Sequence, residues 1–170
     1  MPKIYKITLK DHLRLAKVTL VYIIVFILFA IFTLLQRTDN SFFVTKVSLV
    51  ILLLFILPSI YLHISYYFHH KGWIIREYSD YLEIQTEKNG ISLIIIDKNN
   101  IIEINIYMAP TTIDYNTSNG LPSEDYNYAK IIIPGKEVII TNLIYPDLKA
   151  LASKFFNIKL NYHKTIFPDI

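Results

Sequence analysis

Three histidines near the end of a long apolar stretch are the residues best suited to chemistry in this sequence, since imidazole binds metals and transfers protons. They are His63, His69 and His70. Metal-binding histidines on one helix prefer i, i+4 spacing, whereas His63 and His70 are seven residues apart, about 10 Å along a helix axis. One chain is therefore a poor chelator here. Packing or interfacial anchoring is the simpler interpretation, and a site shared across an oligomer remains an alternative.

Glu124 and Asp125 form the most suggestive carboxylate pair, because two carboxyl groups in different environments can serve as acid and base. They lie in a polar stretch with no buried wall and no nearby nucleophile, so we expect a solvated loop instead. The sequence also lacks the nucleophile-elbow, phosphate-loop, zinc-protease and dinucleotide glycine patterns. We therefore predict no catalytic residue, no metal, no cofactor and no enzymatic activity.

The elements that would position these residues include two long stretches without charged side chains. They run over residues 18–35 and 47–68, and each is long enough for a helix that crosses a hydrocarbon core of about 30 Å. Neither has the polar face of a soluble helix. The sequence therefore predicts transmembrane helices over residues 18–35 and 47–70, joined by an external loop over residues 36–46.

The basic residues indicate the orientation of this helical hairpin. Residues 1–17 carry five lysine or arginine side chains against Asp11, whereas residues 71–170 hold ten basic and twelve acidic ones. Positive flanks stay inside, so we expect an inner-membrane protein with a basic cytoplasmic segment over residues 1–17 and both termini in the cytoplasm. The folded part shows no basic stripe for nucleic acid. The predicted membrane-interface residues are Lys10, Arg14, Lys17, Tyr66, Tyr67, Lys71 and Trp73.

Residues 71–170 read as a mostly β domain. β-branched runs separated by turn residues predict strands over residues 73–78, 81–86, 91–97, 101–107, 129–133 and 136–141. Asn89 and Gly90 favour a tight hairpin turn, and Pro134 and Gly135 form a second turn. The polar stretch over residues 108–128 is predicted to be a mobile loop or a segment that extends away from the sheet. A helix over residues 147–156 would bury Leu148, Leu151, Ala152 and Phe155.

The segments "YLEIQTEKNGISL", "IIIDKNNIIEINIY" and "VIITNLIYPDLKALASKF" carry a resemblance. In them the chain resembles bacterial two-span membrane proteins with a PH-like domain, the bacterial PH and YcxB-like group. The resemblance implies a membrane α-helical hairpin followed by an α+β PH-like domain, a small antiparallel β-barrel capped by a C-terminal helix. The polar stretch before residue 129 departs from that pattern. The turn "TEKNGIS" holds one basic and one acidic residue, which disfavours phosphoinositide recognition.

A membrane-anchored adaptor or scaffold is the favoured function, because the sequence combines two spans with a domain that lacks a catalytic constellation. The lipid bilayer and a protein partner, or a second copy in a homo-oligomer, are the expected partners. Loops rich in polar and aromatic residues suit recognition, so we predict an exposed partner-binding surface at Ile113, Tyr115, Leu121, Tyr126 and Tyr128. An immunity protein that neutralises a membrane-acting bacterial toxin, and an accessory subunit of a larger membrane complex, remain alternatives.

Overall fold

A computed structural model describes residues 1–35, 41–86, 92–114, 121–155, 158–165, 167, 168 and 170, and the structural statements below concern these residues. Two long helices, α1 (Leu9–Leu35) and α2 (Ser41–His70), stand between the first strand and the rest of a β-rich domain. The strands are β1 (Lys3–Tyr5), β2 (Ile74–Glu77), β3 (Tyr81–Thr86), β4 (Ser92–Asp97), β5 (Glu103–Met108), β6 (Tyr128–Ile133), β7 (Lys136–Thr141) and β8 (Lys159–Lys164). Two short helices, α3 (Pro110–Asp114) and α4 (Leu148–Lys154), complete the domain.

The two long helices form an antiparallel hairpin. Hydroxyl pairs fix its register: Thr33 Oγ1 lies 2.9 Å from Thr45 Oγ1, and Thr19 Oγ1 lies 2.7 Å from Ser59 Oγ. Both helices are long and apolar enough, by length and composition, to cross a membrane. They extend beyond the predicted spans, since α1 begins at Leu9 and α2 at Ser41. Residues 41–46 of the predicted external loop are helical.

The first sheet has the strand order β1-β2-β3-β4, with every neighbouring pair antiparallel. Its edge strand β1 comes from the segment predicted only as a basic flank, and Ile4 is opposite Arg76 in the ladder. Residues 1–17 therefore supply both a strand of the domain and the start of α1. The predicted Asn89 and Gly90 turn lies outside the described residues, although β3 and β4 pair antiparallel on either side of it.

The second sheet has the order β7-β6-β5-β8. Strand β8 runs parallel to β5, whereas β6 is antiparallel to both β5 and β7. The turn at Pro134 and Gly135 joins β6 to β7 as predicted, with Gly135 at a φ of 71°. The expected barrel ending in a helix is corrected on two points: the described strands form two four-stranded sheets, and α4 is followed by β8.

The domain core lies where the two sheets and α4 meet. Ile84 and Ile96 of the first sheet, Ile104 and Ile131 of the second, and Leu151 of α4 are all essentially inaccessible to solvent. Asp147 caps α4, since its Oδ1 accepts a hydrogen bond of 2.8 Å from the amide of Ala150. The predicted apolar stripe of this helix is confirmed: Leu148, Leu151, Ala152 and Phe155 are buried.

The polar stretch between β5 and β6 is partly ordered structure. Helix α3 follows β5 directly, and residues 122–125 form a turn before β6. Residues 115–120 lie outside the described residues. The turn at residues 122–125 places the segment from Pro122 to Asn127 against the hairpin.

Candidate functional sites

A chain of three hydrogen-bonded rings joins the hairpin to the domain. His12 Nδ1 on α1 lies 2.8 Å from His63 Nε2 on α2, and His63 Nδ1 lies 3.0 Å from the Tyr126 hydroxyl. His63 bonds on both sides, since a neutral imidazole has one donor and one acceptor nitrogen. Burial raises the pKa of Tyr126 to about 12, so its hydroxyl stays protonated. The contact links both helices to the segment before β6.

Other polar contacts fix the same joint. The guanidinium of Arg14 donates from Nη2 to the carbonyl of Asn142 at 2.5 Å, and Tyr66 donates from Oη to the carbonyl of Pro168 at 2.8 Å. Ser59 Oγ, which pairs with Thr19, also lies 3.4 Å from the carbonyl of Pro122. We call residues 9–17 of α1 and 61–70 of α2 the hairpin base. Together these contacts join the hairpin to the domain.

Of the three histidines predicted as a cluster, His69 and His70 lie side by side, with ring centroids 4.7 Å apart, whereas His63 makes separate contacts. His63 faces His12, whereas His70 is fully buried with Nε2 3.1 Å from the carbonyl of Ile139. His69 packs beside Trp73, with ring centroids 5.6 Å apart. Among the described residues no group of three potential ligands could hold a metal ion. In this chain the histidines pack and hydrogen bond at the joint.

The aromatic residues predicted as an exposed partner-binding surface are mostly buried. Tyr126 is 1% exposed and Tyr128 is 9% exposed, and both belong to one apolar cluster with Leu62 and Tyr66 of α2. Leu121 is half-buried, Ile113 packs against the domain core, and Tyr115 lies outside the described residues. The expectation that these side chains are exposed is therefore wrong for Tyr126 and Tyr128, since the hairpin covers them.

The predicted solvation of the Glu124 and Asp125 pair also needs correction. Glu124 is buried, whereas Asp125 is half-buried and uses its backbone carbonyl to accept 2.6 Å from the Asn142 side-chain amide. The turn that carries this pair is held against β7 by Asn142, whose Oδ1 also accepts from the amide of Asn127. The pair therefore belongs to the packed turn below the hairpin.

The predicted membrane-interface residues divide into two groups. Lys10, Lys17 and Lys71 are exposed, and Tyr67 and Trp73 are half-buried. Tyr66 is fully buried and packs against Tyr126, with ring centroids 5.6 Å apart. Arg14 is partly exposed but binds the domain through the carbonyl of Asn142, which assigns its charge to the joint.

A second polar cluster, around Glu77, is structural. Its carboxylate accepts hydrogen bonds from the Tyr5 hydroxyl at 2.7 Å, from the Tyr145 hydroxyl at 3.1 Å and from Lys154 Nζ at 3.1 Å. Burial alone would raise the pKa of Glu77, but the bonds from Tyr5, Lys154 and Tyr145 outweigh burial and lower it. These bonds connect β1, β2 and α4, and each oxygen is engaged. The cluster locks three elements together.

The outer face of the first sheet carries an exposed groove next to β4. Glu83 of β3 is opposite Ile95 of β4, and Gln85 is opposite Leu93. Leu93 is 57% exposed and Ile95 is 48% exposed, although both are on a strand with a buried inner face. We call the adjoining depression, of about 510 Å³, the β4 groove, and its main lining residues are Asp80, Tyr81, Glu83, Ile95, Asp97 and Lys98.

The β4 groove has an unequal charge and lies beside an edge strand. Three carboxylates line it against the single ammonium group of Lys98. Arg76, on β2, binds Glu83 and Gln85 and so orients the middle of the sheet face. In the described part of the chain, β4 pairs with no strand other than β3, but the Asn100 side chain bonds to the carbonyl of Ile95 and the amide of Asp97, so the part of the edge that remains open lies nearer Leu93. The groove therefore combines acidic groups, exposed aliphatic side chains and a strand edge.

Sequence reasoning missed His12, Thr19 and Arg14 as residues that join the hairpin to itself and to the domain. A signal for the hydroxyl pair exists in the sequence, since Thr19 and Ser59 interrupt apolar stretches at similar distances from the loop. No comparable signal identifies Arg14, because its partner is a backbone carbonyl far along the chain.

Comparisons with known proteins agree with this architecture. A family model described as a PH domain matches residues 4–153. The match takes in β1, both long helices and the strands through β7. No curated protein and no solved structure matches the chain. PH-like domains are generally non-catalytic interaction modules. Since the family model matches most of the length of this chain, the chain belongs to the PH domain family.

Proposed function

We propose that the protein is a membrane-anchored adaptor. In this proposal α1 and α2 cross the cytoplasmic membrane, and the PH domain lies against its inner face and binds a partner protein through the β4 groove. The observation that carries the proposal is the exposed apolar surface of the hairpin, placed directly beside a domain to which the hairpin base is firmly bonded.

The exposed surface of the hairpin supports the membrane span. Large aliphatic and aromatic side chains are exposed along both helices, including Ile24, Leu28 and Phe32 on α1 and Val50 and Leu54 on α2. A soluble helix keeps a polar face toward water, and exposed apolar patches of this extent mark a membrane or a large interface. The acyl chains of lipids are apolar and can contact the exposed side chains of both helices.

The register of the hairpin suggests where the bilayer lies. Residues 18–35 of α1 rise about 27 Å, close to a hydrocarbon thickness of about 30 Å. Because Thr19 pairs with Ser59 and Thr33 pairs with Thr45, this length of α1 is level with about residues 43–60 of α2. The span of α2 is thus proposed to end near Ile60 rather than at residue 70, with the hairpin base in the cytoplasm.

Charged residues at the ends of the proposed span support its orientation. Lys10 and Lys17 precede it, Lys71 follows the hairpin base, and all three are exposed. At the other end Lys46 extends back toward the loop, with its Nζ 4.2 Å from the Phe42 ring centroid. Lysines near a span snorkel to the polar surface. The proposal therefore keeps both termini in the cytoplasm, by the positive-inside rule.

Single cysteines test the position of the bilayer, since the chain has no natural cysteine. Phe68 and Leu54 are both exposed on α2, at 58% and 68%. In inside-out vesicles, Phe68→Cys should react with a membrane-impermeant maleimide, and Leu54→Cys should stay unlabelled until detergent is added. Equal protection of both positions would favour the longer span to residue 70. Labelling of both without detergent would exclude the transmembrane hairpin.

The β4 groove suits an extended basic segment of a partner. An added strand would hydrogen bond to the edge of β4 near Leu93, as in β-augmentation. The side chains on one face of that strand would be apolar over Leu93 and Ile95 and basic beside Asp80 and Asp97, because Leu93, Ile95 and Asp97 share one face of β4. Such a segment complements the charge of the groove and covers aliphatic side chains that are otherwise exposed to water.

A defined peptide pair tests this groove. A nine-residue peptide with two valines and then two lysines at alternate positions, separated by threonines, presents all four on one face of a strand and should bind the full-length protein in nanodiscs. The same peptide with glutamate in place of lysine should not bind. The double variant Leu93→Lys, Ile95→Lys should weaken binding at least tenfold through repulsion and lost apolar contact. Leu160→Lys, Tyr162→Lys places the same charges on β8, the edge strand of the other sheet, and should bind like the parent.

The outcomes separate the possible occupants of the groove. Equal binding of both peptides, or equal weakening by the two double variants, would contradict the proposed groove. If neither peptide binds and the parent self-associates through a surface that Leu93→Lys, Ile95→Lys disrupts, the groove is an interface between copies of this chain, and the partner proposal fails.

A further inference from the structure

Strand β8 lies at the edge of the second sheet and is mostly exposed. Its sequence is KLNYHK, and in the described part of the chain it pairs only with β5. Asn161 and His163 both bond to Oδ1 of Asn105, at 2.9 Å each, so these two side chains lie on one face of the strand. Successive side chains of a strand alternate between its two faces. The opposite face of β8 therefore carries Leu160, Tyr162 and Lys164.

This second face of β8 is apolar at two positions and basic at the third. Leu160 is level with Ile104 of β5, and Tyr162 is level with Ile106, so the face continues the core side of the second sheet. Beyond the core it is uncovered, since Leu160 is 38% exposed, Tyr162 is 44% exposed and Lys164 is also exposed. In the order of its side chains, β8 resembles the lysine peptide proposed for the β4 groove.

The β4 groove presents the complementary order. The outer face of β4 carries two aliphatic side chains and then an acidic one, at Leu93, Ile95 and Asp97. If β8 of a second copy lay parallel to β4, Leu160 and Tyr162 would be level with the two aliphatic positions, and Lys164 would be level with Asp97. In the antiparallel direction Lys164 would lie beside an aliphatic side chain and Asp97 beside Leu160. The parallel direction alone therefore matches apolar contact and charge together.

The charges of the two strands also favour this contact. Strand β8 holds two lysines, a histidine and no carboxylate, whereas the groove presents three carboxylates against Lys98. Asp97 uses Oδ1 for the amides of Asn99 and Asn100, at 2.7 and 3.0 Å, and within the described chain no group bonds to its Oδ2. Complementary charge fixes the register of an interface more than its affinity. Because Asn100 covers part of the edge of β4, side chains would supply most of the contact.

We propose that the β4 groove of one copy binds β8 of a second copy. The proposal names the occupant of the groove and so rests on the function proposed above. The groove and β8 are different surfaces of one chain, so the contact is heterologous and links copies head to tail. Another protein with the same apolar and basic order would have to displace β8 from the groove. The adaptor is then also a scaffold that gathers its own copies on the membrane.

Pairs of single cysteines test the contact and its direction, because the chain has no natural cysteine. Two full-length variants with different tags are produced together in one bacterial membrane, and the membranes are oxidised with copper phenanthroline. Leu93→Cys with Leu160→Cys should form a disulfide between copies, since residues level with each other on neighbouring strands lie about 4.8 Å apart.

Leu93→Cys with Lys164→Cys is the matched control for the parallel direction. The parallel register places these two positions four residues out of level, which adds about 13 Å along the strand and exceeds the reach of a disulfide. The yield of disulfide should therefore be lower than that of the first pair by about fivefold or more. Leu93→Cys produced alone shows whether β4 meets β4 instead.

The two charged double variants of the peptide test give an independent measurement. Leu93→Lys, Ile95→Lys damages the groove, and Leu160→Lys, Tyr162→Lys damages β8, so each variant alone should lose capture of a differently tagged copy of itself. Together they should recover dimers, because one variant keeps an intact β8 and the other keeps an intact groove. Self-association of either variant alone would overturn the proposed contact.

The remaining outcomes separate this proposal from the proposed function. Equal disulfide yields from the two cysteine pairs, or a higher yield from Leu93→Cys with Lys164→Cys, would overturn the parallel contact with β8. If the parent copies do not associate but the lysine peptide binds and Leu93→Lys, Ile95→Lys weakens its binding, the second copy is excluded and the partner-binding groove stands. If neither the peptide nor a second copy binds, both proposals fail.

Discussion

His12 and His63 share one hydrogen bond across the hairpin, with Nδ1 and Nε2 2.8 Å apart and ring centroids separated by 5.0 Å. The bond joins the beginning of α1 to the last third of α2, and Tyr126 extends it into the domain at 3.0 Å. The orientation of the PH domain relative to the hairpin therefore depends on a few named contacts at the hairpin base.

A double-mutant cycle on this pair should show energetic coupling. His12→Ala and His63→Ala each remove one partner, so their combined effect on the free energy of unfolding should fall short of their sum by about 0.5 to 1.5 kcal/mol. The measurement is thermal unfolding of the full chain in detergent. His163, which bonds to Asn105 on the far sheet, supplies the control: His12→Ala with His163→Ala should be additive. Additivity in both cycles would show that the pair carries no net energy.

Replacing Tyr126 should separate its hydroxyl from its ring. Tyr126→Phe leaves His63 without this partner and should cost about 1 kcal/mol of stability. Tyr126→Ser also removes a buried ring and should cost about 3 to 5 kcal/mol, as large-to-small core substitutions do. Tyr162→Ser, at an exposed position on β8, should change unfolding by less than about 1 kcal/mol. Similar small effects of Tyr126→Ser and Tyr162→Ser would contradict the buried position of Tyr126.

Glu77 should make the stability of the domain sensitive to acid. Its pKa is lower in the folded state, so its bonds stabilise the fold above the unfolded pKa of about 4.3, and this stability is lost as the pH falls through the folded value. Glu77→Gln should therefore cost about 1 to 3 kcal/mol at pH 7, and less as the medium becomes acidic. Unfolding temperatures of the parent and Glu77→Gln between pH 7 and pH 3 measure this convergence.

The exposed carboxylate of Glu137, which pairs with Lys130 at the surface, provides the comparison. Glu137→Gln should lower stability at pH 7 only slightly, since surface ion pairs contribute about 0 to 1 kcal/mol. If the unfolding temperatures of the parent and Glu77→Gln differ by the same amount at every pH, the charge of Glu77 contributes nothing to stability.

Gly135 should be costly to replace for backbone reasons alone. Its φ of 71° lies in the left-handed region, and a Cβ added there would meet no atom within 4 Å. Gly135→Ala should therefore lose about 1 kcal/mol from backbone strain, and Gly135→Asn should lose less, since asparagine tolerates this conformation. Chemical denaturation of the three proteins should give that order. Equal stability of the parent and Gly135→Ala would show that the turn relaxes to negative φ.

Local sequence patterns predicted most of the strands well. β3 and β7 have the predicted bounds, and β2, β4, β5 and β6 differ by one or two residues. β1 and β8 were missed because their own sequences give little sign of a buried face: β8 is KLNYHK and is mostly exposed. Each owes its conformation to a partner distant in the chain, β2 for β1 and β5 for β8.

The sequence by itself determined the two long apolar helices, the turn at Pro134 and Gly135, and the buried stripe of α4, because apolar length, turn chemistry and periodicity act over a few neighbouring residues. Only the tertiary structure decided that Tyr126 and Tyr128 are covered, that His63 meets His12, and that the acidic groove forms beside β4. The covering of the two tyrosines depends on how the hairpin docks onto the domain, the histidine contact depends on the register of α1 and α2, and the groove depends on the pairing of β3 with β4. Contacts between residues more than fifty positions apart leave no periodic trace in the chain.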